Sequence, residues 1–278
     1  MALIEMLTEI FSFAFMVRAI VVGLLVSLCA ALLGVNLVLK RYAMIGTALS
    51  HVGFAVMAIA GILDLVSLAA TMPVVVVAAF FLLRLNENSK IRGDSAVALV
   101  STSSLSIGVI VVSVTTGLTL HICNVMFGSI FAMTRADMYV SVALGIVVLS
   151  LFVLFYKQLF AVTYDESFAK ATGTKVEVYK SLLAILTAIT VTLGMRMMGA
   201  LLISSLTLFP ALSAMRLCKR FLSVVITAAV IGVVSFFIGM LFSFGLDLPP
   251  GASVVGVNLV FFMVFSIIAV AKRGGFSR

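Results

Sequence analysis

Apolar and polar residues do not alternate along this chain. The apolar ones come in long blocks, and the polar ones gather in the short gaps between. Nine blocks can be drawn, at about 17–39, 45–63, 66–84, 95–117, 137–156, 179–195, 199–216, 222–246 and 252–271. Each is close to the roughly 20 residues that a helix needs to cross a hydrocarbon core, and none has the two-residue period of a membrane barrel strand. The pattern predicts an all-α fold, a polytopic transmembrane helical bundle of eight or nine spans forming a single domain over residues 1–278. The second and third blocks lie close enough together to leave the count open. A shorter apolar piece, Cys123 to Met133, is too brief to span and predicts a re-entrant or interfacial segment.

Composition sharpens this picture. Of 278 residues, 64% are hydrophobic and 10% charged, whereas a soluble domain is nearer a quarter charged. The net charge of +8 does not point to nucleic acid, because the basic residues sit in the gaps between blocks. With the N-terminus outside, 15 of the 18 Lys and Arg fall in inner loops, and only Arg18, Arg135 and Arg196 fall outside. That asymmetry predicts a multi-pass protein of a bacterial inner membrane with its N-terminus out and its C-terminus in. Cys29, Cys123 and Cys218 have no metal-type spacing, so neither a disulfide framework nor a zinc knuckle is expected. Glu5 and Glu9 precede the first block with no cleavage pattern, so no removable signal peptide is expected.

Candidate chemistry is sparse. Lys40 and Arg41 mark where the second block leaves water, and ten residues on stands His51. At about 1.5 Å per residue the imidazole lies roughly 15 Å deep, about half of a bilayer core. A ring at that depth either bonds a neighbouring helix or marks a polar passage. Cys29 reaches a similar depth on the first block, where it reads by itself as a small apolar filler. His121 ends an outer loop and is expected to be wet. The longest polar stretch, about 157–180, has Asp165 and Glu166 in front of Phe168 and Ala169 and a break at Gly173. It predicts a short amphipathic helix in an inner loop, able to dock a soluble partner. Pro210 predicts a bend. GMRMMG (194–199) and GLDLPPGAS (245–253) predict outer turns. No G-x-x-x-x-G-K-[ST] and no nucleophile–base constellation occurs, so the chain is not expected to be an enzyme.

Five stretches, in order, resemble the permease subunits of the zinc/manganese/iron-type ABC importers, the third bacterial ABC permease family. RYAMIGTALSH looks like that family's R-R-x-x-x-x-G-D-A-L-S-H, and RGDSAVALVSTSSLSIGVIVVS like its segment ending A-L-G-V-x-L. VMFGSIFAMTRAD resembles L-F-G-x-x-L-x-V-x-x-x-D. VTYDESFAKATG with LLISSLTLFPALSAMRL resembles Y-D-x-x-x-A-x-x-x-G followed by L-L-x-x-P-A-x-x-A, and GLDLPPGASVV looks like D-x-P-x-G-x-x-V.

The resemblance implies a second permease protomer, a homodimer being expected. It also implies a cytoplasmic ABC ATPase dimer that hydrolyses ATP in place of this chain, and an extracellular or periplasmic metal-binding protein. The chain itself is expected to bind no cofactor, with a divalent metal as substrate. Tyr164, Asp165, Glu166, Phe168, Ala169 and Gly173 would couple to the ATPase. In the family's G-D-A-L-S-H the aspartate and histidine face the pathway; here those positions are Thr47 and His51, one helical turn apart. A hard ion loses its strongest ligand at Thr47. Either the pore only conducts, or Cys29, Ser50 or the partner protomer completes a softer site, or the cargo is a metal complex or other small solute. His51 as metal ligand tilts the expectation to zinc, ahead of manganese or iron. The rivals are a secondary carrier coupled to an ion gradient, for which His51 is the one obvious titratable group, and a membrane-anchored assembly protein.

Overall fold

The computed structural model describes residues 14–62, 68–88, 93–116 and 135–274. Among the described residues there are eleven helices and no strand. They are α1 (Ala14–Leu39), α2 (Ala43–Ile62), α3 (Leu68–Asn88), α4 (Gly93–Thr116), α5 (Arg135–Leu154), α6 (Tyr156–Tyr164), α7 (Glu166–Ala171), α8 (Val176–Met198), α9 (Ala200–Leu217), α10 (Phe221–Leu246) and α11 (Pro250–Gly274). Eight of these, all but α3, α6 and α7, are long and apolar enough to cross a membrane. α3 contributes a shorter apolar stretch, Met72–Leu82. Within the described residues every block drawn from the sequence is helical, as hydrocarbon requires of a segment that must bond all its own amides. His121 and the piece Cys123 to Met133 lie outside the described residues.

The helices form an inner group and an outer one. α1 is 78% buried and α8 67% over their apolar windows, against 17% for α4 and α11 and 22% for α5. One apolar cluster joins α1, α2, α8, α9 and α10 through Val22, Leu49, Leu193, Leu202 and Phe236. A second lies toward the end where the basic residues gather, and joins α1, α5, α6 and α9 through Leu33, Val148, Leu159 and Ala211. Lipid is as apolar as leucine, so close fit rather than the hydrophobic effect holds such helices together. At Gly34 a Cβ would strike the Thr207 carbonyl of α9, so only glycine lets α1 and α9 approach this closely. Three buried hydroxyls of α8 are satisfied within their own helix: Thr187, Thr190 and Thr192 each donate to the carbonyl four residues back, at 2.7–2.9 Å.

Three helix ends close on a residue of positive φ. After α1, Tyr42 N–H bonds Leu37 O at 2.7 Å and Arg41 N–H bonds Val38 O at 3.0 Å, with Arg41 left-handed (φ 62°). After α7 the same pair of bonds surrounds Gly173 (φ 80°); after α10 the left-handed residue is Asp247 (φ 51°), and there the N–H groups of Asp247 and Leu248 both bond Ser243 O. Two expected turns are shorter than the sequence suggested. GMRMMG is not a turn: α8 runs to Met198, with Met195 and Met198 buried, and Gly199 (φ 86°) alone separates it from α9. In GLDLPPGAS, α10 runs to Leu246 and α11 starts at Pro250, a residue suited to a first turn because its missing N–H has no partner there. α9 continues through Pro210, which is buried.

Candidate functional site

α2 starts immediately after the left-handed Arg41, and its ninth residue is His51. The ring is half-buried, and its Nδ1 lies 2.7 Å from Ser101 Oγ on α4. Thr47, one turn earlier on the same face, is also half-buried. Ser50 turns the other way. It is fully buried, donates to Thr47 O at 2.9 Å and lies 3.2 Å from Ser204 Oγ of α9. The next residue, Ser205, belongs to a second buried group, in which Asn258 of α11 donates to Ser205 Oγ (3.5 Å) and accepts from Ser235 of α10 (2.8 Å). A line of hydroxyls and one amide therefore passes from α2 through α9 to α10 and α11.

The structure separates one expected member from the rest. The sequence predicts Cys29 at the depth of His51, but its thiol meets α5, where it donates to Gly145 O at 3.6 Å, and it packs in the second apolar cluster. Equal depth on two helices does not give contact when the helices are rotated apart. Conversely, Ser101 escaped the sequence reading. A signal existed: Ser101 and His51 each lie eight residues beyond the first residue of helices that start at the same end of the bundle. Among the described residues no three His, Cys, Asp or Glu side chains gather in a way that could hold a metal ion.

The polar stretch 157–180 folds into α6, α7 and the start of α8. Asp165 caps α7, accepting from Phe168 N at 2.9 Å, and Gly173 closes it. Glu166 accepts from Lys180 of α8 at 2.7 Å and pairs with Lys170 at 3.0 Å. Partial burial by itself would raise the Glu166 carboxyl; the bonds from Lys180 and Lys170 and the charges of Lys180 and Lys40 bring it below its ordinary value. Ala169 is wholly buried against Val162 and Val176, whereas Tyr164 and Phe168 are 80% and 64% exposed. Thr163 of α6 donates to Asn36 Oδ1 of α1 at 3.0 Å, and Asn36 is fully buried. The loop is thus tied to α1 just before the turn that begins α2.

A multi-span bundle with imidazole and hydroxyl groups inside it and a capped, aromatic-bearing helix at its basic end defines a membrane protein of the permease type. The chain belongs to the ABC 3 transport family, whose profile matches residues 12–269. It is 26% identical over 254 residues to the manganese transport system membrane protein MntC of Halalkalibacterium halodurans, covering 91% of this chain and 87% of that one. It is 29% identical over 253 residues to the high-affinity zinc uptake system membrane protein ZnuB of Haemophilus influenzae, covering 91% and 97%. Its fold matches a chain of PsaBC from Streptococcus pneumoniae, solved in complex with a Fab, with a TM-score of 0.84 at 26% identity and 95% of each chain covered.

Proposed function

We propose that this chain is the permease subunit of an ATP-driven importer for a divalent transition metal, and that the ion passes the level of Thr47 and His51. The observation that carries the reading is the half-buried His51, held by one ring nitrogen at mid-helix in a bundle of the ABC 3 transport family. An imidazole in hydrocarbon is costly unless its polar atoms find partners; Ser101 of α4 meets one ring nitrogen, and a polar route would meet the other. ATP is hydrolysed by a separate cytoplasmic ATPase dimer seated on α7, with the exposed Tyr164 and Phe168 as its apolar contacts. A metal-binding protein delivers the ion on the opposite face, to which the loop at Asp247 belongs. The basic end of the bundle faces the cytoplasm. ATP-driven closure of the ATPase pulls on α7 and rocks the permease halves, exposing the His51 level to each side in turn.

A second copy of the chain completes the pathway. Ser103 and Ser106 of α4 face outward, and hydroxyls are used between helices more readily than against lipid tails. A homodimer across this face encloses Thr47 and His51. Zinc is the proposed cargo, because a neutral imidazole beside a hydroxyl in place of a carboxylate suits a borderline-soft ion. Manganese is the second reading, favoured by the manganese relative.

The test is uptake of zinc and of manganese into vesicles carrying the permease with its ATPase and binding protein. The expected result is uptake that requires ATP, with zinc taken in preference to manganese. Uptake that persists without ATP or the ATPase contradicts the importer and supports a secondary carrier. A preference for manganese overturns the cargo alone.

A further inference from the structure

His51 has two ring nitrogens, and one of them is already engaged. Ser101 Oγ is 2.7 Å from Nδ1, across a gap of 50 residues in sequence. Ser101 is 9% exposed on a helix that is otherwise thinly covered. The neighbouring hydroxyls of α4 do not compete for the ring. Thr102 donates to its own helix, to Ala98 O at 2.9 Å and Leu99 O at 3.2 Å, and Ser103 and Ser106 face outward. The meeting of Ser101 with His51 is also held in register from the side. At Gly108 the absence of a side chain lets α4 press on Phe54 and Ala55 of α2, where a Cβ would come within 2.5 Å of the Phe54 ring. α4 cannot slide or turn past α2 without losing that fit.

Chemistry then fixes what Ser101 does. A neutral imidazole carries one proton, and an ion must meet the nitrogen that lacks it. The partner of the other nitrogen sets which one that is, and holds the ring at one angle. A hydroxyl, however, can donate to Nδ1 or accept from it, so Ser101 holds the ring in either tautomer; an ion that meets Nε2 selects the one whose Nδ1–H is donated to Ser101 Oγ. A carboxylate behind the ring would raise its basicity and hold an ion longer. A serine does not, and Thr47 adds only a second neutral oxygen. Both choices favour release, which a route needs as much as capture.

We propose that Ser101 is a positioning residue for transport: it holds the His51 ring through Nδ1 and accepts the Nδ1 proton when Nε2 meets the passing cation, and its neutrality keeps that contact weak. The inference rests on the pathway reading of His51.

The experiment uses the assembled transporter in vesicles, with histidine labelled with ¹⁵N, His121→Gln to leave His51 as the one ring of this chain, and Zn²⁺ as probe. In the otherwise unchanged protein Zn²⁺ shifts the Nε2 resonance and leaves the proton on Nδ1. Ser101→Ala weakens that Nε2 shift and lowers zinc uptake by about tenfold, within the range for loss of an outer partner. Ser101→Thr, which keeps the hydroxyl, restores both. If Ser101→Ala fails to assemble, Ser101→Val, read against Ser101→Thr of the same shape, makes the same comparison. An unchanged Nε2 shift with unchanged uptake in the variant that lacks the hydroxyl, or a Zn²⁺ shift on Nδ1, overturns the role of Ser101. If His51→Ala also transports normally, the pathway reading falls. If His51→Ala stops uptake while Ser101→Ala does not, only the positioning role falls.

Discussion

At Glu166 one carboxylate serves two lysines, and this decides how the end of the bundle responds to pH. Its folded value lies below the ordinary 4.5. The stabilisation it gives α7 is therefore complete above about 4.5 and is lost as pH falls through the lower folded value. Amide exchange in α7 should be flat between about pH 6 and 8, apart from the intrinsic rate, and should lose protection in acid below about 4.5. Glu166→Gln should remove that acid transition and cost about 1–2 kcal/mol, between the values for exposed and buried pairs, while Lys180 keeps Glu177 at 3.8 Å. Protection that persists in acid in the unchanged protein contradicts the assignment. Two glycines offer a paired comparison. At Gly173 a Cβ meets nothing within 4 Å, so Gly173→Ala pays only for its positive φ, about 1 kcal/mol. Gly34→Ala must push α1 away from the Thr207 carbonyl and should cost more, about 2–3 kcal/mol. Thermal unfolding in detergent ranks the two, and the reverse order would mean that the α1–α9 crossing yields easily.

Among the helices, the connection from α6 to α1 gives the coupling proposal a physical route. Thr163 holds the buried Asn36, four residues before Lys40, and the turn at Arg41 leads directly into the helix that bears His51. Thr163→Val keeps the shape and removes the bond. It should leave ATP hydrolysis by the assembled transporter intact while zinc moved per ATP falls several-fold; an unchanged ratio removes this bond from the coupling route. This connection was not legible in the sequence. Asn36 reads there as one more polar residue near the end of a block, because nothing in a single chain says how far one helix is rotated against another. The same limit hid Ser101 and misplaced Cys29. The helices themselves were legible because unbroken apolar runs leave a spanning segment one way to bond its amides. The turns were overestimated at GMRMMG and GLDLPPGAS for the converse reason. Glycine and proline mark turns in water, but here one positive-φ residue, Gly199, or three residues, 247–249, with left-handed Asp247 first, connect the helices. At 157–180 the acid–glycine frame correctly predicted α7, while α6 was missed because Lys157 and Gln158 read as the start of a polar loop and in fact stand in the first turn of a helix.

For the whole molecule, the two proposed ends of the machine are a motor contact at α7 and a guarded cation route at His51, joined through α1 and α2. Neither end explains transport alone. A pore that ignores the ATPase would be a carrier, and a docking helix without a polar route would be a scaffold. The α4 face with Ser103 and Ser106 predicts that two copies meet there. A cysteine placed at Ser103 should crosslink between copies in the membrane, and crosslinking only at outward positions of α11 would place the second copy elsewhere. The most direct measurement is zinc flux into vesicles holding the assembled transporter, taken together with its rate of ATP hydrolysis, for the unchanged chain and for His51→Ala. The account predicts that flux falls at least tenfold in the variant while assembly and ATP hydrolysis persist. Flux equal to that of the unchanged chain would contradict it.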